Sequence, residues 1–200
     1  MKRVLTFALL LALPACRKRE PSPEIVMLPS HAEAPAPPSA AVSGSTVTIA
    51  RVSFEAPARW ARETPSSSMR AAQFSIPGSG NEKNASFVVY YFGKEQGGGA
   101  AENVERWRGQ FTASDGAKAA AQTHSRSISG LRVTTVTAEG TFAAGMPMGP
   151  ASPEPNSALW GAIVEGPAGN VFLKATGSRA TINAARAELE GALASIHPAP

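Results

Sequence analysis

The residue of this chain with the most distinctive chemistry is Cys16, the only cysteine and therefore the only thiol. It directly follows an apolar run, residues 4–15, which Lys2 and Arg3 precede. A basic start, an apolar stretch of about 7–15 residues and a small residue before the cut are typical of a secretory signal, whereas a transmembrane helix needs about 20 apolar residues. We therefore predict that residues 1–15 are a signal peptide that is removed on export.

The four residues that end this segment, Leu13-Pro14-Ala15-Cys16, resemble the lipobox of bacterial lipoproteins. The resemblance implies that the Cys16 thiol receives diacylglycerol, that the new N-terminus is further acylated, and that membrane lipid is a partner. Because each buried CH₂ contributes about 0.8 kcal/mol, such a terminus would anchor the protein to the cell envelope, facing the periplasm or the exterior. Arg17, in place of an acidic residue, resembles lipoproteins sent to the outer membrane of hosts that have two. The alternative is an ordinary secreted protein with a free thiol.

Residues 16–45 are rich in proline and alanine and have no sustained apolar period. This composition is typical of a disordered, semi-extended linker. The formal charge of +4 is concentrated near this end of the chain, because five of the 19 basic residues precede residue 20. From residue 46 onward there are 14 basic and 12 acidic residues, so the sequence gives no support for a nucleic-acid partner.

The inventory of catalytic residues is small. Of the three histidines, only His124 lies outside the linker and the C-terminal tail, and Asp115 is the only aspartate. No Gly-x-Ser-x-Gly elbow, Ser-x-x-Lys, Walker A, Gly-x-Gly-x-x-Gly or His-Glu-x-x-His motif is present. We therefore expect no catalytic activity and no cofactor. The alternative is a hydrolase or another enzyme whose site is assembled from scattered polar residues such as His124, Glu139 and Arg70.

Met146-Pro147-Met148 carries soft metal-binding atoms, because thioethers suit Cu(I). Two methionines without a neighbouring histidine or cysteine form an incomplete ligand set. We therefore expect no metal site and interpret the surrounding residues, 145–156, as a proline-rich loop.

Gly97, Gly98 and Gly99 precede a predicted helix. Backbone N–H groups at a helix N-terminus, aided by the helix dipole, can hold an anion. Arg70 or Arg106 would then supply positive charge, so these five residues are the candidates for contact with a ligand or partner. The alternative is a flexible turn between a central strand and its helix.

Hydrophobic periodicity predicts the elements that position these residues. Three apolar side chains at i, i+3 and i+7 predict an amphipathic helix over residues 100–112, with Glu102 and Arg106 paired on its exposed side. A second helix is predicted over residues 181–196 at the end of the chain. The predicted strands are residues 46–50, 52–56, 71–76, 86–93, 122–128, 131–142, 159–165 and 170–176.

Strands that arrive in hairpins, with one helix midway and one at the end, predict a single α+β domain over residues 46–200. We expect one largely antiparallel sheet flanked by helices. A Rossmann fold would need strict alternation of strand and helix, which the sequence lacks.

Four segments of this domain resemble a family of uncharacterised bacterial exported proteins and lipoproteins. They are residues 67–74, 88–93, 103–111 and 159–174. The element order resembles the Mog1/PsbP-like α/β/α sandwich, whose members are mostly binding or accessory proteins, although a fold does not fix a function. The resemblance implies a non-enzymatic binding or accessory module with an envelope protein as partner. A purely structural envelope lipoprotein is the alternative.

Overall fold

In the computed structural model of the chain, the described residues are 41–43, 45–143 and 152–200. The predicted signal peptide, Cys16 and Met146-Pro147-Met148 lie outside them. The helices and strands are β1 (Ala41–Ser43), β2 (Thr46–Ile49), β3 (Val52–Glu55), β4 (Ala61–Glu63), β5 (Arg70–Ile76), β6 (Ala85–Tyr91), α1 (Ala100–Arg108), β7 (Phe111–Thr112), β8 (Ala121–Ile128), β9 (Leu131–Phe142), β10 (Glu154–Gly166), β11 (Gly169–Ser178), α2 (Arg179–Ala184), α3 (Arg186–Ala194) and β12 (His197–Pro198).

The described strands form two antiparallel sheets, so the prediction of a single sheet is wrong, whereas the prediction of a mostly antiparallel fold with a few helices is confirmed. The small sheet has the order β1-β2-β3-β12, and the large sheet has the order β4-β5-β6-β11-β10-β9-β7, with β8 also paired to β9. Strands β2 and β3 form a tight hairpin, and Ala50 and Arg51 at its turn both have positive φ (51° and 63°), as such two-residue turns require. Strand β12 then pairs with β3 and brings the end of the chain to this hairpin.

The large sheet is covered on both faces, and strand β10 shows how. Trp160 and Ala162 pack in one core with the small sheet, α2 and α3. Leu159 and Ile163, which alternate with them, pack in a second core with α1. Because both sides are covered, β10 is buried along most of its length. We call the surface that carries α1 the α1 face.

Helix α1 lies against the large sheet through Trp107. Gly161 leaves room for this ring, because a Cβ at position 161 would lie 2.5 Å from Cζ3 of Trp107. Trp107 also meets Phe172 edge-on, with the ring centroids 6.4 Å apart. The missing side chain of Gly161 therefore lets α1 approach strands β10 and β11 closely.

Helix α1 is shorter than the sequence predicts. It ends at Arg108 rather than at residue 112, with Gly109 as its C-cap. Phe111 belongs to β7, where it pairs with Phe142 of β9, and the two ring centroids lie 5.0 Å apart. Phe111 therefore remains an apolar core residue, but a strand and not a helix places it there.

The C-terminal helix predicted over residues 181–196 is divided into α2 and α3 at Ala185, whose ψ of −1° departs from the helical value of about −42°. Ala185 and Leu189 are both fully buried, so each helix keeps its apolar side against the core.

Strand structure also begins earlier than predicted, because β1 lies inside the range assigned to the linker and pairs with β2. Within the described ranges, no helix combines the length and the apolar character needed to span a membrane.

Candidate functional site

A lysine ammonium lies on the α1 face between aromatic rings. Lys174 is half-buried in the middle of β11 and pairs with Gly161 of β10. Its Nζ donates a hydrogen bond to Oε1 of Gln110 at 2.5 Å. The same atom lies 5.9 Å from the ring centroid of Trp107 and 5.7 Å from that of Phe142. An amide oxygen and two aromatic faces therefore surround the ammonium, and no described carboxylate forms an ion pair with it.

Two arginines add positive charge to the same region. Arg70 of β5 donates from Nη1 to Oε1 of Gln73 at 2.7 Å, and Arg106 of α1 donates from Nη2 to Oδ1 of Asn103 at 2.6 Å. Neither arginine forms an ion pair with a described carboxylate, although five other basic residues do. We call Arg70, Arg106 and Lys174 the cationic cluster. The sequence predicted both arginines as ligand candidates. In the fold, the positive charges of both arginines lower the pKa of Lys174.

Burial and charge both act on the protonation of this cluster. Burial lowers the pKa of Lys174 from 10.5 to about 8, and the positive charges of Arg70 and Arg106 act in the same direction. Burial also raises the pKa of Tyr90, an effect that the charge of Arg70 opposes. Both directions follow from partial exclusion of water around the cluster. An anion at this position would be attracted more strongly than on an open surface.

Exposed apolar side chains border the cluster. Met69 is 58% exposed and Phe92 is 37% exposed, and they are the large hydrophobic residues with high exposure among those described. Met69 directly precedes Arg70, while the Phe92 ring stacks on Tyr90 at 6.0 Å with an interplanar angle of 13°. Tyr90 in turn pairs with Arg70 across β5 and β6. Positive charge and accessible apolar surface therefore occur together on the α1 face.

The helix N-terminus after the triple glycine is capped by the chain itself. The N–H of Gly99 donates to Oε2 of Glu102 at 3.1 Å. The predicted pairing of Glu102 with Arg106 is therefore wrong, because the carboxylate turns back to the first turn of the helix, where an acidic group is favoured. An anion that bound the N–H of Gly99 would have to displace this carboxylate.

The other two glycines turn their carbonyl oxygens toward neighbouring side chains. The oxygen of Gly97 accepts a hydrogen bond from Nη2 of Arg106 at 3.1 Å, and that of Gly98 accepts one from Nδ2 of Asn170 at 3.1 Å. Both glycines have positive φ (84° and 81°), which a residue with a side chain rarely adopts. The loop therefore helps to hold Arg106 near Lys174. Direct contact of the three glycines with a ligand stays a prediction.

The scattered polar residues of the enzyme hypothesis do not converge. Glu139 of β9 contacts Arg179 at 3.6 Å and Asn183 at 3.4 Å, so it lies beside α2. His124 is exposed on β8, where it pairs with Thr135. By register, both side chains lie on the face opposite α1, whereas Arg70 lies on the α1 face.

A cavity of about 1130 Å³ opens at the end of the large sheet where β6 begins and β11 ends, and none of the three residues of the cationic cluster lines it. Its lining includes Phe142, whose ring contacts the Lys174 ammonium, and the paired residues Ser86 and Thr176. Thr176 follows Lys174 by two positions in β11, so both side chains point to the α1 face. Among the residues described here, no group of three His, Cys, Asp or Glu side chains could hold a metal ion.

Sequence reasoning missed Lys174, the residue at the centre of the cluster. The signal was a single lysine inside the apolar run Val171-Phe172-Leu173-Lys174-Ala175. The two residues next to the lysine in β11, Leu173 and Ala175, are buried. The residues paired with it, Val88 of β6 and Gly161 of β10, are also buried. A lysine is rarely buried without an ionic partner, so such a position is a candidate functional site.

Comparison with known proteins finds only distant structural matches. No protein-family model matches the chain, and no curated protein matches it. The chain is similar to the solved structure of PA94, a protein of unknown function from Pseudomonas aeruginosa, at 15% identity and a TM-score of 0.46, covering 82% of this chain and 99% of that one. It is also similar to the PsbP protein CyanoP from Synechocystis sp. PCC 6803, at 10% identity and a TM-score of 0.46, covering 74% of this chain and 87% of that one. CyanoP is a PsbP protein, the group whose element order the sequence resembles. At these values neither match carries an argument about function.

Proposed function

We propose that this chain is a binding or accessory lipoprotein without catalytic activity, anchored in the cell envelope through an acylated Cys16, and that the cationic cluster is its binding surface. The observation that supports the binding surface is the convergence of Arg70, Arg106 and Lys174 without an ion pair to any described carboxylate. The partly exposed ring of Phe92, which stacks on Tyr90, borders the same cluster.

Such a cluster is costly to the folded protein. Removing an ammonium from water without an opposite charge disfavours folding unless another interaction compensates. A partly buried lysine whose pKa is lowered by burial and by neighbouring positive charges is a recurrent property of binding sites. The cluster is therefore better explained by a ligand than by stability.

The anchor part of the proposal depends on the sequence around Cys16. Because β1 begins at Ala41, the tether between the lipid and the folded domain would comprise residues 16–40. In an extended polyproline conformation of about 3.1 Å per residue, this length would reach up to roughly 80 Å. The binding surface could then contact ligands or envelope proteins well away from the membrane.

Detergent phase partitioning tests the anchor. The full chain, expressed in a host that processes lipoproteins, is expected to enter the detergent phase, because two or more acyl chains give durable membrane association. Cys16→Ser is expected to move to the aqueous phase, and Ser30→Ala, a change in the predicted linker, is the matched control. Equal partitioning of wild type and Cys16→Ser would contradict the anchor.

Crosslinking in intact cells, followed by purification of the full chain, tests the binding function. We expect a captured partner or ligand whose yield falls by about tenfold or more in Arg106→Glu, because charge reversal in the cluster introduces repulsion. Arg186→Glu is the matched control, since Arg186 is exposed on α3, away from the α1 face. Capture that both variants reduce equally, or that neither reduces, would contradict the cationic cluster as the binding surface.

Turnover in a hydrolase screen that His124→Ala abolishes would contradict the absence of catalysis.

A further inference from the structure

We propose that the cationic cluster binds a small organic oxyanion, a carboxylate or phosphate group carried on an apolar body. This inference rests on the proposed binding function and specifies the chemistry of its ligand. The oxyanion would lie among Lys174, Arg70 and Arg106, and the apolar body would lie against the bordering side chain Phe92.

The charge of the ligand follows from the hydrogen bonds of the cluster. Lys174 has three donors, of which the described structure employs one, toward Oε1 of Gln110. Arg70 and Arg106 each have five N–H donors, and their described partners are neutral oxygens of Gln73, Asn103 and Gly97. Each cation therefore retains donors, and hydrogen bonds from a charged donor to an oxyanion are about twice as strong as those between neutral groups.

The apolar part of the ligand follows from the surroundings of the charges. Trp107 and Phe142 contact the Lys174 ammonium from within the α1 face. Phe92 stacks on Tyr90 and extends the aromatic surface to solvent. An inorganic ion would leave this surface in contact with water, whereas an aromatic or aliphatic body would cover it.

The distribution of the other charges favours a small ligand over nucleic acid. Five basic residues of the described structure are neutralised in ion pairs with glutamates. From residue 46 onward 14 basic residues are balanced by 12 acidic ones, so the domain lacks the excess positive charge of a surface that follows a nucleic-acid backbone.

Proton uptake gives this binding event a distinctive signature. The charged groups that act on Lys174 are Arg70 of β5 and Arg106 of α1. Tyr90 of β6 is uncharged near pH 8, since burial raises its pKa further above that value. A bound oxyanion stabilises the ammonium and raises the pKa of Lys174 from about 8 toward its ordinary value. Binding of benzoate, which is fully ionised at both pH values, is therefore expected to take up about half a proton at pH 8 and close to none at pH 6.

Calorimetric titration of the full chain tests the inference with four probes, namely benzoate, phenyl phosphate, acetate and inorganic phosphate. We expect saturable binding of the two aromatic oxyanions and weaker binding of acetate and phosphate. Lys174→Met and Arg70→Met are each expected to weaken binding by about 10- to 100-fold, the loss of a hydrogen bond to a charged group. Lys118→Met is the matched control, because Lys118 is exposed and pairs with Glu105. Titration in two buffers of different ionisation enthalpy at pH 8 measures the proton uptake.

Several results would overturn the inference. Benzyl alcohol binding as tightly as benzoate would show that charge is not recognised. Equal losses in Lys174→Met and Lys118→Met would show that the cluster is not the site. Absence of saturable binding by all four probes would also overturn it, while crosslinked capture that depends on Arg106 would still support the proposed function. Conversely, oxyanion binding together with equal partitioning of wild type and Cys16→Ser would contradict the anchor alone.

Discussion

Replacing Lys174 with methionine is expected to raise the free energy of unfolding at pH 7 by about 1–3 kcal/mol. Folding places this ammonium against Trp107 and Phe142, and none of the described carboxylates forms an ion pair with it. Methionine keeps a flexible chain and removes the charge, so the cost of its dehydration is absent from the variant. Urea unfolding of the full chain at pH 7 measures the difference.

The same substitution is expected to change how stability depends on pH. The pKa of Lys174 is about 8 in the folded protein and 10.5 when unperturbed. Between these values the unfolded chain binds a proton that the folded chain does not, so the stability of the wild type rises with pH through this window. Methionine at position 174 removes that rise, and the advantage of the variant is expected to shrink by roughly 2 kcal/mol between pH 7 and pH 9.5. Groups common to both proteins, including Tyr90, largely cancel in this difference.

Lys118→Met provides the control for charge removal at an exposed lysine, and its effect is expected to stay within about 0.5 kcal/mol at both pH values. A Lys174→Met variant that is less stable than wild type at pH 7 would show that the ammonium stabilises the fold. The cluster would then have a structural explanation, and the case for a ligand would be weaker. A stabilised variant that no longer binds oxyanions would instead show that the site retains charge for function at a cost in stability.

The sequence predicts those strands and helices whose hydrophobic periodicity is visible within the element itself. Strand β9 was predicted over residues 131–142, the range that it occupies, and the apolar side chains Leu189 and Leu193 of the C-terminal helix are buried as expected. Strands β7 and β12, of two residues each, are too short to show a period of two. The small sheet gains its fourth strand because β12 pairs with β3, which lies far away in the sequence, and no local pattern contains this pairing.

The candidate site could be predicted only in part for a related reason. Arg70 and Arg106 were identified as sources of positive charge for a ligand, but the triple glycine was placed at its centre. The centre is Lys174, whose surroundings come from α1, β9 and the segment after α1. Local sequence shows that a lysine interrupts an apolar strand, but the tertiary fold alone shows that no described carboxylate pairs with it.

Trp160→Ala is expected to lower the free energy of unfolding by about 3–5 kcal/mol, the largest loss that we predict for a single substitution. Trp160 lies in the middle of β10, is 1% exposed, and packs in the core with the small sheet and the C-terminal helices. Its Nε1 donates a hydrogen bond to Oε1 of Glu190 at 3.0 Å, so α3 is joined to the sheet at this point. Alanine would leave a large cavity and remove the donor, and urea unfolding measures the loss.

Two further variants separate packing from hydrogen bonding at this position. Trp160→Phe retains most of the apolar contact but not the donor, and a loss of about 1–3 kcal/mol is expected, because Glu190 gives up one partner. Arg126→Met removes the other partner of Glu190, an exposed arginine at 3.0 Å, and less than about 1 kcal/mol is expected. Equal losses in Trp160→Phe and Trp160→Ala would show that the hydrogen bond to Glu190, and not the volume of the indole, holds α3 against the large sheet. The expected order, with alanine worst and Arg126→Met mildest, instead attributes the attachment of α3 mainly to apolar packing, because a buried indole loses far more contact than an exposed ion pair contributes.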